Sequence, residues 1–240
     1  MAAKRSSSTK SKRFSFTKLK AIVISVLIWF FLLSILWVLA YRFINPPITL
    51  LMVMRNIERK SEGKSFKLEK DWVNIADMSD NFKRAAIAGE DQLFVHHSGF
   101  DMNAIRRAYS SNKDGGKIKG GSTISQQVAK NVFLWPGRSW IRKGFEAYFT
   151  ILIEMSWGKE RILEVYLNII EMGDGIYGAE AAAQSYYHKS CRKMRRTEAA
   201  LIVACFPNPL RWNPLHPTRY IRHRQYLIIQ NIRTLGPLKL

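Results

Sequence analysis

The chain has 240 residues, of which 47% are hydrophobic, 23% charged and 12% aromatic, which is enough apolar material for one packed domain of ordinary size. This composition excludes wholesale disorder, and two cysteines, Cys191 and Cys205, are too few for a disulfide scaffold and form no zinc-ligand pattern. The formal net charge of +20 predicts a polyanionic partner, which could be nucleic acid, an anionic membrane surface or a phosphate-bearing substrate.

The N-terminal region is typical of a membrane anchor. Residues 1–20 carry seven basic groups and no acid, and the segment 21–41 that follows contains no charge. A helix of twenty residues is about 30 Å long, the thickness of the hydrocarbon core of a bilayer. The positive-inside rule places the basic tail in the cytoplasm and the rest of the chain outside. A cleaved signal peptide is the alternative, although its apolar stretch would be only about 7–15 residues long.

The remaining elements are almost all predicted to be helices. Residues 42–74 are assigned to a connector, because Asn45-Pro46-Pro47 prevents the anchor helix from continuing. Residues 75–240 form a single, mainly α domain with little strand signal. Its predicted helices are capped by Ser79, by Asp101 and by Ser122 or Thr123, with the third ending near Phe133, and others cover 142–157, 159–171, 179–187, 197–206 and 218–235.

Two adjacent carboxylates, Glu90 and Asp91, follow an apolar helix and precede Phe94, His96 and His97. A carboxylate at the end of such a helix can lose solvent, which raises its pKa and suits general acid–base catalysis. An ordinary helix end at the protein surface would show the same residues. The histidine pair could suggest a metal, but adjacent histidine side chains rarely face one ion.

A second group of residues predicts an anion site. Gly120-Gly121-Ser122 precedes a predicted helix start, where backbone N–H groups and the helix dipole favour a negative charge. With the basic residues that follow, this pattern indicates a phosphate or diphosphate site, although a solvated basic face would look similar. Glu146 lies among these residues, either as a plain helix ion pair with Arg142 or as a second functional acid. Carboxylates beside cations together predict glycosyl transfer with a phosphate leaving group.

Four motifs in chain order resemble those of the peptidoglycan glycosyltransferases, glycosyltransferase family 51, which is the polymerase module of class A penicillin-binding proteins. The resemblance covers about residues 75–215. It implies a lysozyme-like α fold and an inverting enzyme of bacterial cell wall synthesis that polymerises lipid II into β-1,4-linked glycan strands and releases undecaprenyl pyrophosphate. The motifs are Glu90-Asp91-x-x-Phe94-x-x-His97-x-Gly99, Gly120-Gly121-Ser122-Thr123-Ile124-Ser125-Gln126-Gln127, Arg142-Lys143-x-x-Glu146 and Lys159-x-x-Ile162-Leu163-Glu164-x-Tyr166-Leu167-Asn168.

The resemblance also implies a role for each matching residue. Glu90 would be the general base that deprotonates the 4-hydroxyl of the acceptor sugar. Glu146 would be a second acid that places the acceptor or organises the diphosphate. The substrate-binding residues would be Ser122, Gln126, Gln127, Lys130, Arg138, Arg142 and Lys143. The supporting residues would be Asp91, Phe94, His97, Gly120, Gly121, Thr123, Glu164 and Asn168.

The resemblance implies few other components. No cofactor is required by the sequence and no metal ligand is certain, although a divalent cation such as Mg²⁺ or Mn²⁺ could assist. The implied partners are lipid II, the growing glycan strand, the membrane and other cell-wall synthesis or division proteins, but not nucleic acid. The expected location is the bacterial inner membrane, with a single span and the catalytic domain on the periplasmic side.

Two other functions stay open on the sequence alone. A lysozyme-like hydrolase or lytic transglycosylase would share paired acids but would not need basic residues near a diphosphate. A membrane-tethered protein that binds an anionic ligand would need the basic residues but not Glu90. Ser61-Glu62-Gly63-Lys64 and Ser79-Asp80-Asn81 match two transpeptidase motifs by chance, because the third motif is missing. Only 25 residues follow Leu215, so we expect a monofunctional enzyme without a transpeptidase domain.

Overall fold

A computed structural model describes residues 16–103, 105–106, 110, 121–137, 139–238 and 240, which are mostly helical. The first helix, α1 (Phe16–Phe43), is long and apolar enough to cross a membrane. Ser34 and Val38 are its buried residues, and most of its large apolar side chains are exposed. Most of the predicted basic tail, residues 1–15, lies outside the described residues.

A second helix, α2 (Leu50–Ser61), lies within the segment assigned to the connector and was not predicted. It begins where the side chain of Thr49 accepts a hydrogen bond from the backbone N–H of Met52, at 3.4 Å. Its first five residues, 50–54, are all apolar, and a short apolar run does not distinguish a helix from a strand.

The rest of the domain contains helices in two groups. The helices α3, α8 and α9 pack against one another, whereas α4 packs against both α5 and α6. The C-terminal end of α3 and the N-terminal end of α4 lie on either side of a cleft. In chain order the helices are α3 (Asp80–Glu90), α4 (Ile124–Phe133), α5 (Trp140–Ser156), α6 (Lys159–Ile169), α7 (Ala179–Tyr187), α8 (Arg196–Ala204) and α9 (Arg219–Thr234), with 3₁₀ turns at Ile75–Asp77 and Cys191–Lys193.

The predicted helix starts agree with the structure at three positions. The side chains of Ser79, Thr123 and Thr218 each accept a hydrogen bond from a backbone N–H in the first turn of α3, α4 and α9. The mainly α fold class is therefore confirmed. The helix predicted to begin at Asp101 falls partly on residues that the structure does not describe.

The prediction that the helix from Lys159 reaches Glu171 is wrong. This helix, α6, ends at Ile169, and a small sheet follows, in which β3 (Ile176–Tyr177) pairs antiparallel with β2 (Glu171–Gly173) and parallel with β1 (Glu69–Lys70). The carboxylate of Glu171 accepts hydrogen bonds from Arg55 Nε at 3.3 Å and from the Tyr177 hydroxyl at 3.2 Å. These tertiary contacts outweigh local helix propensity at this point.

Candidate active site

A cleft of about 420 Å³ lies between the C-terminal end of α3 and the N-terminal end of α4. Glu90, the last residue of α3, lies partly buried in its wall. The side-chain amide Nε2 of Gln127 donates a hydrogen bond to Glu90 Oε2 at 2.9 Å. The lining residues are Ala88, Gly89, Glu90, Asp91, Gln92, Leu93, Asp101, Gly121, Ser122 and Thr123.

The pKa of Glu90 is raised above its ordinary value, because burial disfavours the charged carboxylate. The hydrogen bond from Gln127 and the positive charges of Arg224 and Lys130 offset part of this effect. Arg224, on α9, was not among the predicted site residues, because its proximity to Glu90 depends on how distant helices pack. The raised pKa makes the ionised carboxylate of Glu90 a stronger base than an exposed carboxylate, which suits proton transfer.

Gln127→Met should move the acidic limb of the pH–activity profile to higher pH, because it removes a donor that stabilises ionised Glu90. A general base works only when ionised, so activity is lost as the pH falls through the pKa of that base. The loss of one hydrogen bond to a charged group corresponds to a shift of about one pH unit. Measurement of kcat/KM between pH 5 and 9 tests this prediction. If the acidic limb does not move, Glu90 is not the group whose ionisation limits activity at low pH.

Asp91 and His97 form a buried network behind Glu90. His97 Nδ1 accepts a hydrogen bond from the Gly99 N–H at 3.1 Å, so Nε2 of the neutral ring carries the proton and donates to Asp91 Oδ1 at 2.9 Å. Gly99 has a positive φ of 87°, and a side chain there would lie 2.7 Å from Thr150 Cγ2. The Thr123 hydroxyl donates to the Gly99 carbonyl at 2.6 Å. The network joins the loop after Glu90 to the start of α4.

A carboxylate of the protein lies at the start of α4, where the sequence predicted a phosphate or diphosphate. Asp91 Oδ2 accepts a hydrogen bond from the Ile124 N–H at 3.0 Å. Gln126, predicted to bind substrate, is instead buried in a capping box, where its Oε1 accepts from the Thr123 N–H at 3.0 Å. Ser122 and Gly121 do line the cleft, whereas the predicted site residues Gly120 and Arg138 lie outside the described residues.

Phe94 and Lys159 support the loop that follows Glu90. Phe94 is fully buried, and the Lys159 ammonium lies 4.7 Å from the centre of its ring. Lys159 Nζ also donates to the His97 carbonyl at 2.6 Å and to Glu154 Oε1 at 2.7 Å. Glu154 was missed by sequence reasoning, because a single carboxylate on an apolar helix gives no motif.

Two of the predicted basic residues, Lys130 and Arg142, line a second pocket, of about 430 Å³, at the C-terminal end of α4. Lys130 lies about 9 Å along α4 from its first residue, Ile124, so the structure places it away from Ser122 in the first cleft. Glu146 is buried beside this pocket, where it pairs with Lys143 and with Arg142 Nη1 at 3.5 Å. The ion pair with Arg142 is therefore present, but in a buried setting. The other lining residues are Leu51, Arg55, Asn131, Leu134, Trp135, Pro136 and Gly137.

Burial and neighbouring charge also affect Lys130. Its pKa is lowered, first by burial and then by the positive charges of Arg142 and Lys143, while Glu146 and Glu90 oppose the shift. Within the described residues its ammonium makes no hydrogen bond or ion pair. A cation in this state lowers the stability of the fold, which is typical of a binding group.

Glu164 and Asn168 of the fourth motif do not line the cleft but bind backbone groups of Ile75 and Val73, where the predicted connector meets the domain. Glu164 Oε2 accepts from the Ile75 N–H at 2.9 Å. The buried Asn168 side chain accepts from the Val73 N–H and donates to the Val73 carbonyl, both at 2.9 Å. These contacts support a structural part for this motif.

Asn168→Ala should lower the free energy of unfolding by about 2–3 kcal/mol, because it leaves two backbone groups of Val73 without partners. For a domain of this size, the melting temperature should fall by roughly 5–10 °C. Thermal unfolding followed by circular dichroism in detergent measures this, with Gln184→Ala on exposed α7 surface as control. Loss of activity beyond the loss of folded protein would instead give Asn168 a direct part in the cleft.

The described residues contain no cluster of three or more His, Cys, Asp or Glu side chains that could hold a metal ion. The carboxylate of Glu146 pairs with two cations, Arg142 and Lys143.

Comparison with known proteins identifies the family of this chain. The family model described as Transglycosylase matches residues 58–233. A biosynthetic peptidoglycan transglycosylase of Pseudomonas syringae pv. syringae is 48% identical over 89% of this chain and 91% of its own. Proteins with the same name from Stutzerimonas stutzeri and Pseudomonas aeruginosa are 49% and 47% identical, over 88% of this chain and 87% and 90% of theirs. The chain therefore belongs to the transglycosylase family and is a glycosyltransferase.

Proposed function

We propose that this peptidoglycan glycosyltransferase polymerises lipid II into glycan strands and releases undecaprenyl pyrophosphate. The observation that carries the proposal is a partly buried carboxyl group, Glu90, in one cavity and two cations, Lys130 and Arg142, in the next, where Lys130 forms no ion pair with the described residues. Gln127, which contacts Glu90, lies on the same helix as Lys130. The names of the relatives and the family support the class of reaction.

In the proposed reaction, the residues of the two cavities have separate roles. Glu90 takes the proton from the 4-hydroxyl of the acceptor sugar, whose oxygen attacks the anomeric carbon of the donor. The bond from that carbon to the diphosphate breaks with inversion, and negative charge builds up on the leaving group. Lys130 and Arg142 stabilise this charge in the second pocket, where the burial of Arg142 and the partial burial of Lys130 strengthen the interaction. Glu146 acts by holding Lys143 and Arg142 in position.

The contacts of α1 support a location in the membrane. The hydroxyls of Ser34 and Tyr148 are 2.7 Å apart, and Phe30 packs on Phe145 with ring centres 5.6 Å apart. Ser34 lies about 10 Å along the helix from Tyr41, the predicted end of the membrane span. The start of α5 would then lie within the outer leaflet.

The side chains at the start of α5 agree with this depth. Trp140 is 92% exposed and Ile141 is 73% exposed, which is unfavourable in water but favourable in lipid. The orientation with the N-terminus inside follows from the basic tail.

Incubation of the full-length protein with labelled lipid II in neutral detergent tests the proposal. We expect long, muramidase-sensitive polymer and stoichiometric release of undecaprenyl pyrophosphate. Shortening of preformed strands without synthesis would indicate a lytic enzyme instead. Salt-sensitive binding without turnover would indicate an anionic-ligand binding protein.

A further inference from the structure

The second pocket contains a cationic residue from outside the four motifs. Arg55, on α2, lines it together with Lys130 and Arg142. The remaining lining is largely apolar and includes Leu51, Leu134 and Trp135. Arg55 and Arg142 also pair with carboxylates, whereas Lys130 forms no ion pair with the described residues, so an anion in that cavity would compensate its charge.

The donors of this pocket are incompletely satisfied. Arg142 is 9% exposed, and its Nε has no hydrogen-bond partner. A buried donor without a partner is uncommon in folded proteins and costs stability. The ammonium of Lys130 makes no hydrogen bond or ion pair with the described residues.

Arg55 is held in place by two carboxylates that leave part of its guanidinium available. Its Nε donates to Glu171 Oε2 at 3.3 Å, and its Nη1 donates to Glu58 Oε2 at 2.8 Å. Within the described chain its Nη2 has no partner. Because Glu171 is buried and anchored by the Tyr177 hydroxyl, it holds Arg55 against the pocket.

We propose that Arg55 is a third cationic ligand for the phosphate groups of the lipid-linked substrate, acting with Lys130 and Arg142. This proposal rests on the proposed function. A guanidinium suits a phosphate because it can donate two hydrogen bonds in one plane. The apolar wall beside the cations suits the first carbons of a lipid chain, so the ligand is a phosphate that carries a lipid rather than a soluble phosphate. An anionic phospholipid headgroup shares this chemistry and is the competing source.

The test must remove Arg55 without leaving Glu171 as an unpaired buried charge. We therefore compare Arg55→Gln/Glu171→Gln with Glu171→Gln alone. The matched control is Arg59→Gln/Asp174→Asn, which removes an ion pair one turn away that also joins α2 to the β2–β3 turn. Arg59 does not line the pocket. Steady-state kinetics with lipid II are measured in neutral detergent without phospholipid, and again with phosphatidylglycerol vesicles.

We expect the Arg55→Gln/Glu171→Gln variant to show a KM for lipid II about tenfold above that of Glu171→Gln in neutral detergent. The concentration of inorganic pyrophosphate needed for half-inhibition should rise by a similar factor, and the control pair should change both by less than twofold. Equal KM values in the two variants would overturn the proposal, as would an effect seen only with phosphatidylglycerol. A wild-type protein that makes no polymer would instead refute the proposed function.

Discussion

Glu90→Gln should reduce polymer synthesis from lipid II by about 10³-fold, because the amide cannot accept the proton of the attacking hydroxyl. The variant keeps the shape of the side chain, and its carbonyl can still accept the hydrogen bond from Gln127. Since burial already disfavours the ionised form of Glu90, the neutral variant should melt at the same temperature or higher. The defect should appear in kcat, with little change in the KM for lipid II.

Glu160→Gln is the control, because it alters an exposed glutamate on α6 by the same chemical change. It should retain at least half of wild-type activity. Polymer synthesis by Glu90→Gln within tenfold of wild type would show that another group takes the proton.

Lys130→Met should reduce kcat/KM by about 10²- to 10³-fold, the usual cost of removing one group that stabilises charge in a transition state. The protein should become no less stable and could gain a few degrees in melting temperature. The reason is that the folded state lowers the pKa of this lysine, so the charged form destabilises the fold at neutral pH. A loss of activity without a loss of stability distinguishes a substrate ligand from a structural residue.

Lys83→Met is the control for Lys130→Met, and we expect it to change activity little. Lys83, on α3, pairs with Asp80 at 2.7 Å and lines neither cavity. Its removal should leave turnover within twofold of wild type and leave the melting temperature unchanged or slightly lower. If Lys130→Met unfolds the protein while Lys83→Met does not, the substrate-binding role of Lys130 is wrong.

The sequence was most informative where a local rule determines the structure. Ser79, Thr123 and Thr218 cap helices because a side-chain oxygen can reach a backbone N–H three residues ahead. The motifs around Glu90 and Lys130 could be recognised because their residues follow in one stretch of chain. In contrast, α2 begins with a short apolar run that does not distinguish a helix from a strand. The strand at Glu171 depends on Arg55, more than one hundred residues earlier.

Several features of the site could not have been predicted from the sequence. Asp91 could have been a catalytic partner of Glu90, and only its contact with the Ile124 N–H shows that it serves the start of α4. Gln126 and Gln127 are adjacent, yet one is buried in a cap and the other reaches Glu90, because helical geometry points them in different directions. Arg55 and Arg224 lie near the site because elements that are distant in the sequence pack together. The spacing of residues along the chain does not reveal such contacts.

The attachment of α1 to the catalytic domain has a consequence for how substrate and product travel. Trp157 donates to the Val38 carbonyl and Arg161 to the Tyr41 carbonyl, both at 2.9 Å. In the proposed membrane location, these contacts would leave the catalytic domain no slack tether and would prevent it from searching the space above the lipid surface. A lipid-linked substrate would reach it by two-dimensional diffusion, and each sugar added would push the completed part of the polymer away from a stationary enzyme.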